Sequence, residues 1–189
     1  NGCYYSRPAD TEISYSNNSF RFGFSKLVAS NEFFFQLSKG FRPPQINELF
    51  RLQKSQTLAN LKSEKIDSVE FGIVSEGKNF NNKFVLFSSK KNNYIYKDDD
   101  ASTISDGKSK HQGVEVSGLV NIKPDLSINY AWSFARHLYD YSLSEIDVVK
   151  GNYIDTAPKI YGSLFLNITT VKNLTLQIEE EYMGKYYTD

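Results

Sequence analysis

The sequence predicts an all-β fold: an antiparallel, up-and-down transmembrane β-barrel segment of about eight strands. Three observations predict it. Apolar residues recur with period two along nearly the whole chain, the period of a strand with two unlike faces. The connections alternate between short and long, as they do when all long loops emerge at one end of an up-and-down sheet. The face opposite the apolar one collects charge, and carboxylates in a dry sandwich core would each cost several kcal/mol unless paired.

The strands follow in order. At 19–28, Phe20, Phe22 and Phe24 alternate with Arg21, Gly23 and Ser25. At 33–41, Phe33, Phe35 and Leu37 alternate with Phe34, Gln36 and Ser38. At 63–75, Val69, Phe71 and Ile73 alternate with Ser68, Glu70 and Gly72. The segment 82–96 is a strand by composition, but its two faces cannot be told apart. At 109–122, Val114, Val116, Val120 and Ile122 share one face. At 126–139 the alternation is cleanest: Leu126, Ile128, Tyr130, Trp132 and Phe134 against Ser127, Asn129, Ala131, Ser133 and Ala135. Strands over 159–169 and 174–187 complete the set, with Ile160, Leu164, Leu166, Ile168, Leu174, Leu176 and Ile178 on the apolar side.

The short connections are "ASNE", "EGKNFN", "KPD" and "TVKN"; the long ones are 42–62, 97–108 and 140–158. Arg21, Arg42, Glu70, Glu115, Glu179 and Glu181 fall on the polar face, where a wet lumen accepts them. Several strands exceed 12 residues, against about 5–6 in soluble proteins. Two residues fit badly. Glu180 shares parity with Leu176 and Ile178 and would face lipid, and Arg136 does the same near the long-loop end, within reach of headgroups or lipopolysaccharide phosphate. Two other architectures compete: a complete, closed eight-stranded barrel with an adhesion or structural role, and a soluble β-sandwich binding module.

Composition narrows the function classes. Lys plus Arg and Asp plus Glu are both 22, so a net charge of zero argues against nucleic acid as a partner. Aromatics make up 15% of residues, with 13 Tyr and 14 Phe, which suits β structure or interfacial belts. The single Cys3 excludes a disulfide within the chain and leaves pairing with an upstream cysteine open. The longest apolar run, Phe84 to Phe87, is far below the roughly 18 residues of a helical span. The chain opens in mid-loop and ends in a continuing strand, and so reads as a fragment.

Motifs for catalysis are missing. The two histidines, His111 and His137, belong to no metal-ligand spacing, and no phosphate loop or nucleophile elbow occurs. In "KDDDASTISDG", Asp98, Asp100 and Ser102 suit a calcium loop, but Thr103 stands where glycine is required, so the stretch reads as a solvated acidic loop. The expectation is a non-enzyme without cofactor or bound metal.

Four segments together resemble the barrel of TonB-dependent outer-membrane receptors. "LSKGFRPPQINELF" (37–50) resembles the family's strand end, Arg-x-Pro and short Glu-Leu-Phe/Tyr turn. "LKSEKIDSVEFGI" (61–73) resembles its Leu-x-x-Glu and Glu-x-Gly strand start. "HQGVEVSGLVNI" (111–122) resembles its Gly-Val-Glu strand, and "DTAPKIYGSLFLNI" (155–168) the Ala-Pro before a lipid-facing strand. The resemblance implies that 1–189 is part of the C-terminal half of a barrel of about 22 strands, without the plug or the terminal strands. It implies import of scarce nutrients, foremost iron–siderophores, at the outer membrane of a Gram-negative bacterium. The implied partners are outer-membrane lipid and lipopolysaccharide, the TonB energy-transducing complex acting through the plug, and a small ligand such as a ferric siderophore. A monomer is expected.

The candidate ligand-binding residues lie at the rim and in the loops: Arg42, Glu48, Phe50, Glu64, His111 and Tyr153. Arg42 and Glu64 keep lumen parity, so a charge-assisted contact of Arg42 with Glu48 or Glu64 is expected, mainly to order the loop. His111 reads first as a rim residue. Tyr94, Tyr96 and Tyr139 are expected in an interfacial aromatic girdle, whereas Phe50 and Tyr153 lie deeper in loops.

Overall fold

A computed structural model of the chain describes residues 5–6, 8–53, 56–97, 102–141, 149–170 and 174–188. Its strands, in chain order, are β1 (Tyr5–Ser6), β2 (Phe20–Val28), β3 (Asn31–Arg42), β4 (Leu52–Gln53), β5 (Glu64–Gly77), β6 (Phe80–Lys97), β7 (Thr103–Lys123), β8 (Leu126–Tyr139), β9 (Ile160–Thr169) and β10 (Thr175–Met183). One short helix, α1 (Ile46–Phe50), follows β3. Eight strands form one antiparallel sheet in the order β10-β9-β8-β7-β6-β5-β3-β2. Sequential neighbours pair throughout, as in an up-and-down meander. The small pair β1–β4, Tyr5 opposite Gln53 and Ser6 opposite Leu52, stands apart and was not expected from the sequence.

The register joins the apolar residues into rows that cross the sheet. Phe24, Phe35, Phe71, Leu86, Val114, Phe134 and Ile160 oppose one another in turn. The next row runs through Phe33, Ile73, Phe84, Val116, Trp132, Gly162 and Tyr182. These side chains are exposed or half-buried: Phe24 keeps 63% of its surface accessible and Phe71 43%. A continuous exposed apolar face of this extent is a lipid-facing surface. Its upper border steps across the sheet: on β2, β3 and β5 the apolar band extends one row further, through Phe22, Leu37 and Val69. One row above Leu86, Val114 and Phe134, the same face carries Ser88, Gln112 and Arg136.

The opposite face carries the expected charge. Glu70 lies between Gln36 and Phe87, Glu115 between Val85 and Ser133, and Glu179 and Glu181 oppose Phe165 and Ser163. No large side chain among the described residues is fully buried, so no dry inter-sheet core exists there. That removes the sandwich. The closed eight-stranded barrel falls as well, because β2 and β10 end an open sheet and do not pair among the described residues.

The expected loop at 97–108 proves mostly strand. β6 runs on to Lys97 and β7 begins at Thr103. Above the apolar band both faces are polar, so no side-chain alternation marks the hairpin, which backbone pairing alone extends. β10 stops at Met183 rather than 187. Cys3, Asn173 and the acidic Asp98 and Asp100 lie outside the described residues.

Glu180 needed no slip of register: it opposes Leu164 on the apolar face. A carboxylate there costs less than a lysine but still disfavours insertion. Glu180→Leu is expected to stabilise the barrel by about 1–2 kcal/mol, read as a higher midpoint in urea unfolding from liposomes. An unchanged or lower midpoint would place Glu180 in water.

Candidate functional site

The polar side chains converge where β3 and β5 leave the apolar band. Pro43 and Pro44 supply no backbone N–H, so the ladder ends at the Arg42–Glu64 pair. Beyond it the chain turns into α1, which returns Glu48 to the strand end. Arg42 Nε donates to Glu64 Oε2 at 2.7 Å, and its two terminal nitrogens donate to both Glu48 oxygens at 3.0 Å. Glu48 Oε2 also accepts the Gln45 N–H at 2.6 Å, tying the first turn of the helix to the same carboxylate. The structure thus makes both of the contacts anticipated for Arg42.

Glu64 is the centre of this cluster. Its side chain is 3% exposed and accepts from Arg42, from Lys91 Nζ at 2.9 Å and from the Ile95 N–H at 3.0 Å. Burial alone would push its carboxyl up; the Arg42 bond, the Ile95 N–H and Lys91 together overcome that and bring it down to about 2. Lys91 was not anticipated, since the faces of its strand could not be separated in the sequence. A bulge at Asn93, with φ of +57°, lets the Asn93 amide donate to the Ser63 carbonyl at 2.9 Å. Leu49, Leu61 and Ile95 form a small buried cluster beside the ions, with Phe50, Tyr15 and Ala59 packed on it. Phe50 is therefore an anchor for the loop as well as a loop aromatic.

His111 and His137 oppose each other on β7 and β8, on the charged face and three residues beyond Val114 and Phe134 at the apolar border. Their Nδ1 atoms are 2.8 Å apart, so one carries the proton and the other accepts it, and Ser109 Oγ lies 2.8 Å from His111 Nε2. Burial holds both imidazoles below their usual value, and for His111 the neighbouring His137 and Lys91 add to it. Both are neutral at pH 7. Because folding disfavours their protonation, this pair subtracts stability once pH falls below about 6.5.

The tyrosines fall on the side opposite to the one expected. Tyr139 opposes Ser109 and Tyr94 opposes Gly107, both on the charged face. Ring contacts run from Tyr94 to Tyr96 (6.2 Å), Tyr96 to Tyr141 (5.2 Å) and Tyr141 to Tyr139 (5.8 Å). They line the lumen rather than the outward girdle: Tyr139 keeps the parity of Ala135 and His137, and the bulge at Asn93 shifts Tyr94 from the outward parity of Leu86 and Lys90 to the lumenal side. Burial and the Asp155 carboxylate, which accepts the Tyr139 hydroxyl at 3.1 Å, push that phenol up to about 12. Tyr153 does the reverse. It bridges Leu138 on the outward face and stacks on Tyr187 at 5.9 Å, with Lys159 Nζ 3.8 Å from its ring centre. The structure therefore joins Arg42, Glu48 and Glu64, brings His111 near them through Lys91, and leaves Tyr153 elsewhere.

The described residues contain no group of three or more metal-ligating side chains. They present a lumenal wall of ion pairs, neutral imidazoles and phenols above a lipid-facing band.

Comparison with known proteins agrees with this geometry. Residues 4–189 match the family model described as TonB dependent receptor-like, beta-barrel. The siderophore receptor PiuA from Acinetobacter baumannii is similar in structure, with a TM-score of 0.71 at 16% identity over 90% of this chain and 26% of that one. The ferric yersiniabactin uptake receptor FyuA from Yersinia pestis gives 0.69 at 16% over 90% and 26%. The ferric-catecholate import receptor Fiu from E. coli K12 gives 0.66 at 16% over 87% and 24%. The chain spans about a quarter of the length of these structures. A search of curated proteins returned no match.

Proposed function

Because the chain belongs to the TonB dependent receptor-like β-barrel family, whose members are outer-membrane receptors and transporters, we propose that it forms part of the barrel of an importer of ferric siderophores. The observation that carries the reading is the eight-stranded meander, lipid-facing on one side and charged on the other, which matches siderophore receptors over most of its length.

In this reading the protein sits as a monomer in the outer membrane of a Gram-negative bacterium. A plug in the completed barrel couples it to the TonB complex. Ligand meets the rim, where Arg42, Glu48, Glu64 and His111 stand on the lumenal wall beside the Tyr94–Tyr141 ring contacts, with Phe50 fixing the loop and Tyr153 at the outer edge. The ion pairs serve first to hold the loop in place, since both Arg42 ends are already occupied.

The test is uptake of radioactive iron presented on hydroxamate, catecholate and carboxylate siderophores, in an iron-starved strain with and without the gene. Loss of uptake from one class is expected on deletion, with recovery when the gene is restored. Equal uptake from every class in both strains would overturn the siderophore assignment.

A further inference from the structure

His111 and His137 are 26 residues apart in the chain, and only the register of β7 on β8 makes them neighbours. Their ring centres lie 5.1 Å apart but their Nδ1 atoms only 2.8 Å, so the two nitrogen edges face each other. A shared proton uses one of the two lone pairs in that gap. A metal ion there uses both.

Three features suit the pair to a metal. Both imidazoles are neutral at pH 7, the form that ligates. Ser109 is 4% exposed and its Oγ lies 2.8 Å from His111 Nε2. When the hydroxyl oxygen accepts from Nε2–H, the His111 Nδ1 lone pair is left facing the gap, which is how the outer partner of a ligating histidine sets its tautomer. His137 reaches the same state with its proton on Nε2, so the pair keeps both protons. Finally, both rings are half-buried on the lumenal face, where a hydrated ion reaches them. Lys91, the cation that acts on His111, is itself bound by Glu64 at 2.9 Å.

The donor set selects the ion. Imidazoles suit Cu²⁺, Ni²⁺ and Zn²⁺, whereas Ca²⁺ and Mg²⁺ take oxygen ligands. Two bonds of about 2.0 Å at a right angle set their nitrogens about 2.8 Å apart, while a tetrahedral angle needs about 3.3 Å. The observed spacing is the right-angled one. That is the geometry of a tetragonal Cu²⁺ site, and Cu²⁺ also leads the affinity order. No third His, Cys, Asp or Glu completes a metal-binding group among the described residues, so the other positions stay open.

We propose that His111 and His137 form a divalent transition-metal site on the lumenal wall, selective for Cu²⁺, with one Nδ1 from each strand. Ser109 is the positioning residue, and water fills the open positions until donor atoms of a passing small molecule replace it. The site does not depend on which cargo the barrel imports.

The test uses the full receptor in detergent, stripped with a chelator and titrated with Cu²⁺ alone. Electron paramagnetic resonance of the bound ion is expected to show coupling to two imidazole nitrogens. The double variant His111→Gln, His137→Gln is expected to bind Cu²⁺ about tenfold or more weakly and to lose that coupling. Millimolar Ca²⁺ is expected not to compete. Equal Cu²⁺ affinity in the double variant, or displacement by Ca²⁺, would overturn the proposal. If the double variant does not fold, Ser109→Ala decides: a loss of about tenfold is expected, and unchanged affinity sinks the site. Binding is read without transport, so failure of the siderophore assignment leaves this result standing.

Discussion

Glu64→Gln is expected to release the segment between β3 and β5, at a cost of about 3–5 kcal/mol in local stability. The substitution keeps the volume but removes the charge that Arg42 and Lys91 share, at 2.7 and 2.9 Å. The site is 3% exposed on the Glu64 side, so water cannot take over the lost pairing. Hydrogen exchange at Leu49, Leu61 and Ile95, together with tryptic cleavage at Arg51, reads the release. Protection equal to that of the unaltered protein would show that the ions decorate the loop without holding it. Glu48→Gln is the comparator. Its partner Arg42 is 37% exposed, so that pair is screened, and the loss expected there is below about 1 kcal/mol.

The same group sets a pH dependence. Its carboxyl is held at about 2 in the folded protein against an ordinary value of 4.5. A depressed folded value means the stabilisation is fully present above about 4.5 and is lost as pH falls from there toward 2. A difference of that size is worth about 3 kcal/mol, in line with the cost of the substitution. Loop protection should therefore fall steeply below about pH 4.5 in the unaltered protein and stay flat in Glu64→Gln. The histidine pair acts earlier, below about pH 6.5, so the two effects separate along the pH axis.

Gly162→Val is expected to destabilise the barrel by about 2–3 kcal/mol, against the rise of up to about 1 kcal/mol that strand propensity alone suggests. Gly162 sits on the outward face between Trp132 and Tyr182, whose ring centres are 6.0 Å apart across the glycine. A Cβ there would strike the Trp132 ring and lie 2.7 Å from the Ala131 carbonyl oxygen. The ring can turn away, but the backbone oxygen belongs to a paired strand and cannot. The heat-induced loss of the fast-migrating folded band in detergent gels gives the midpoint, and Trp132 fluorescence, from the one tryptophan in the chain, gives the ring's displacement. A raised midpoint with unchanged emission would mean that the glycine has no packing role.

Strand order, the lumenal charges and the lipid-facing residues of the strands other than β6 were legible in the sequence, because a period of two assigns each residue a face without reference to its neighbours. Phe20, Phe22 and Phe24, or Leu126 to Phe134, need no partner to be read. The Arg42–Glu64 contact was legible for the same reason: parity placed both on one face and the prolines placed both at a strand end. Legibility fails where alternation ends. Above the membrane both faces meet water, so the extension of β6 and β7 left no mark, and Lys91 could not be assigned a side. The bulge at Asn93 moved Tyr94 and Tyr96 relative to any reading that counts residues.

By itself, then, the sequence determined a β-meander with one face for lipid and one for a wet lumen, since hydrophobic burial acts residue by residue at a fixed period. Only the tertiary structure decided which charges meet. It alone brought Lys91 and the Ile95 N–H to Glu64, set His111 against His137, and put Lys90 beside Lys110. Those contacts depend on cross-strand register and on one bulge, which backbone hydrogen bonds between distant segments fix and which side-chain type along a single strand does not record.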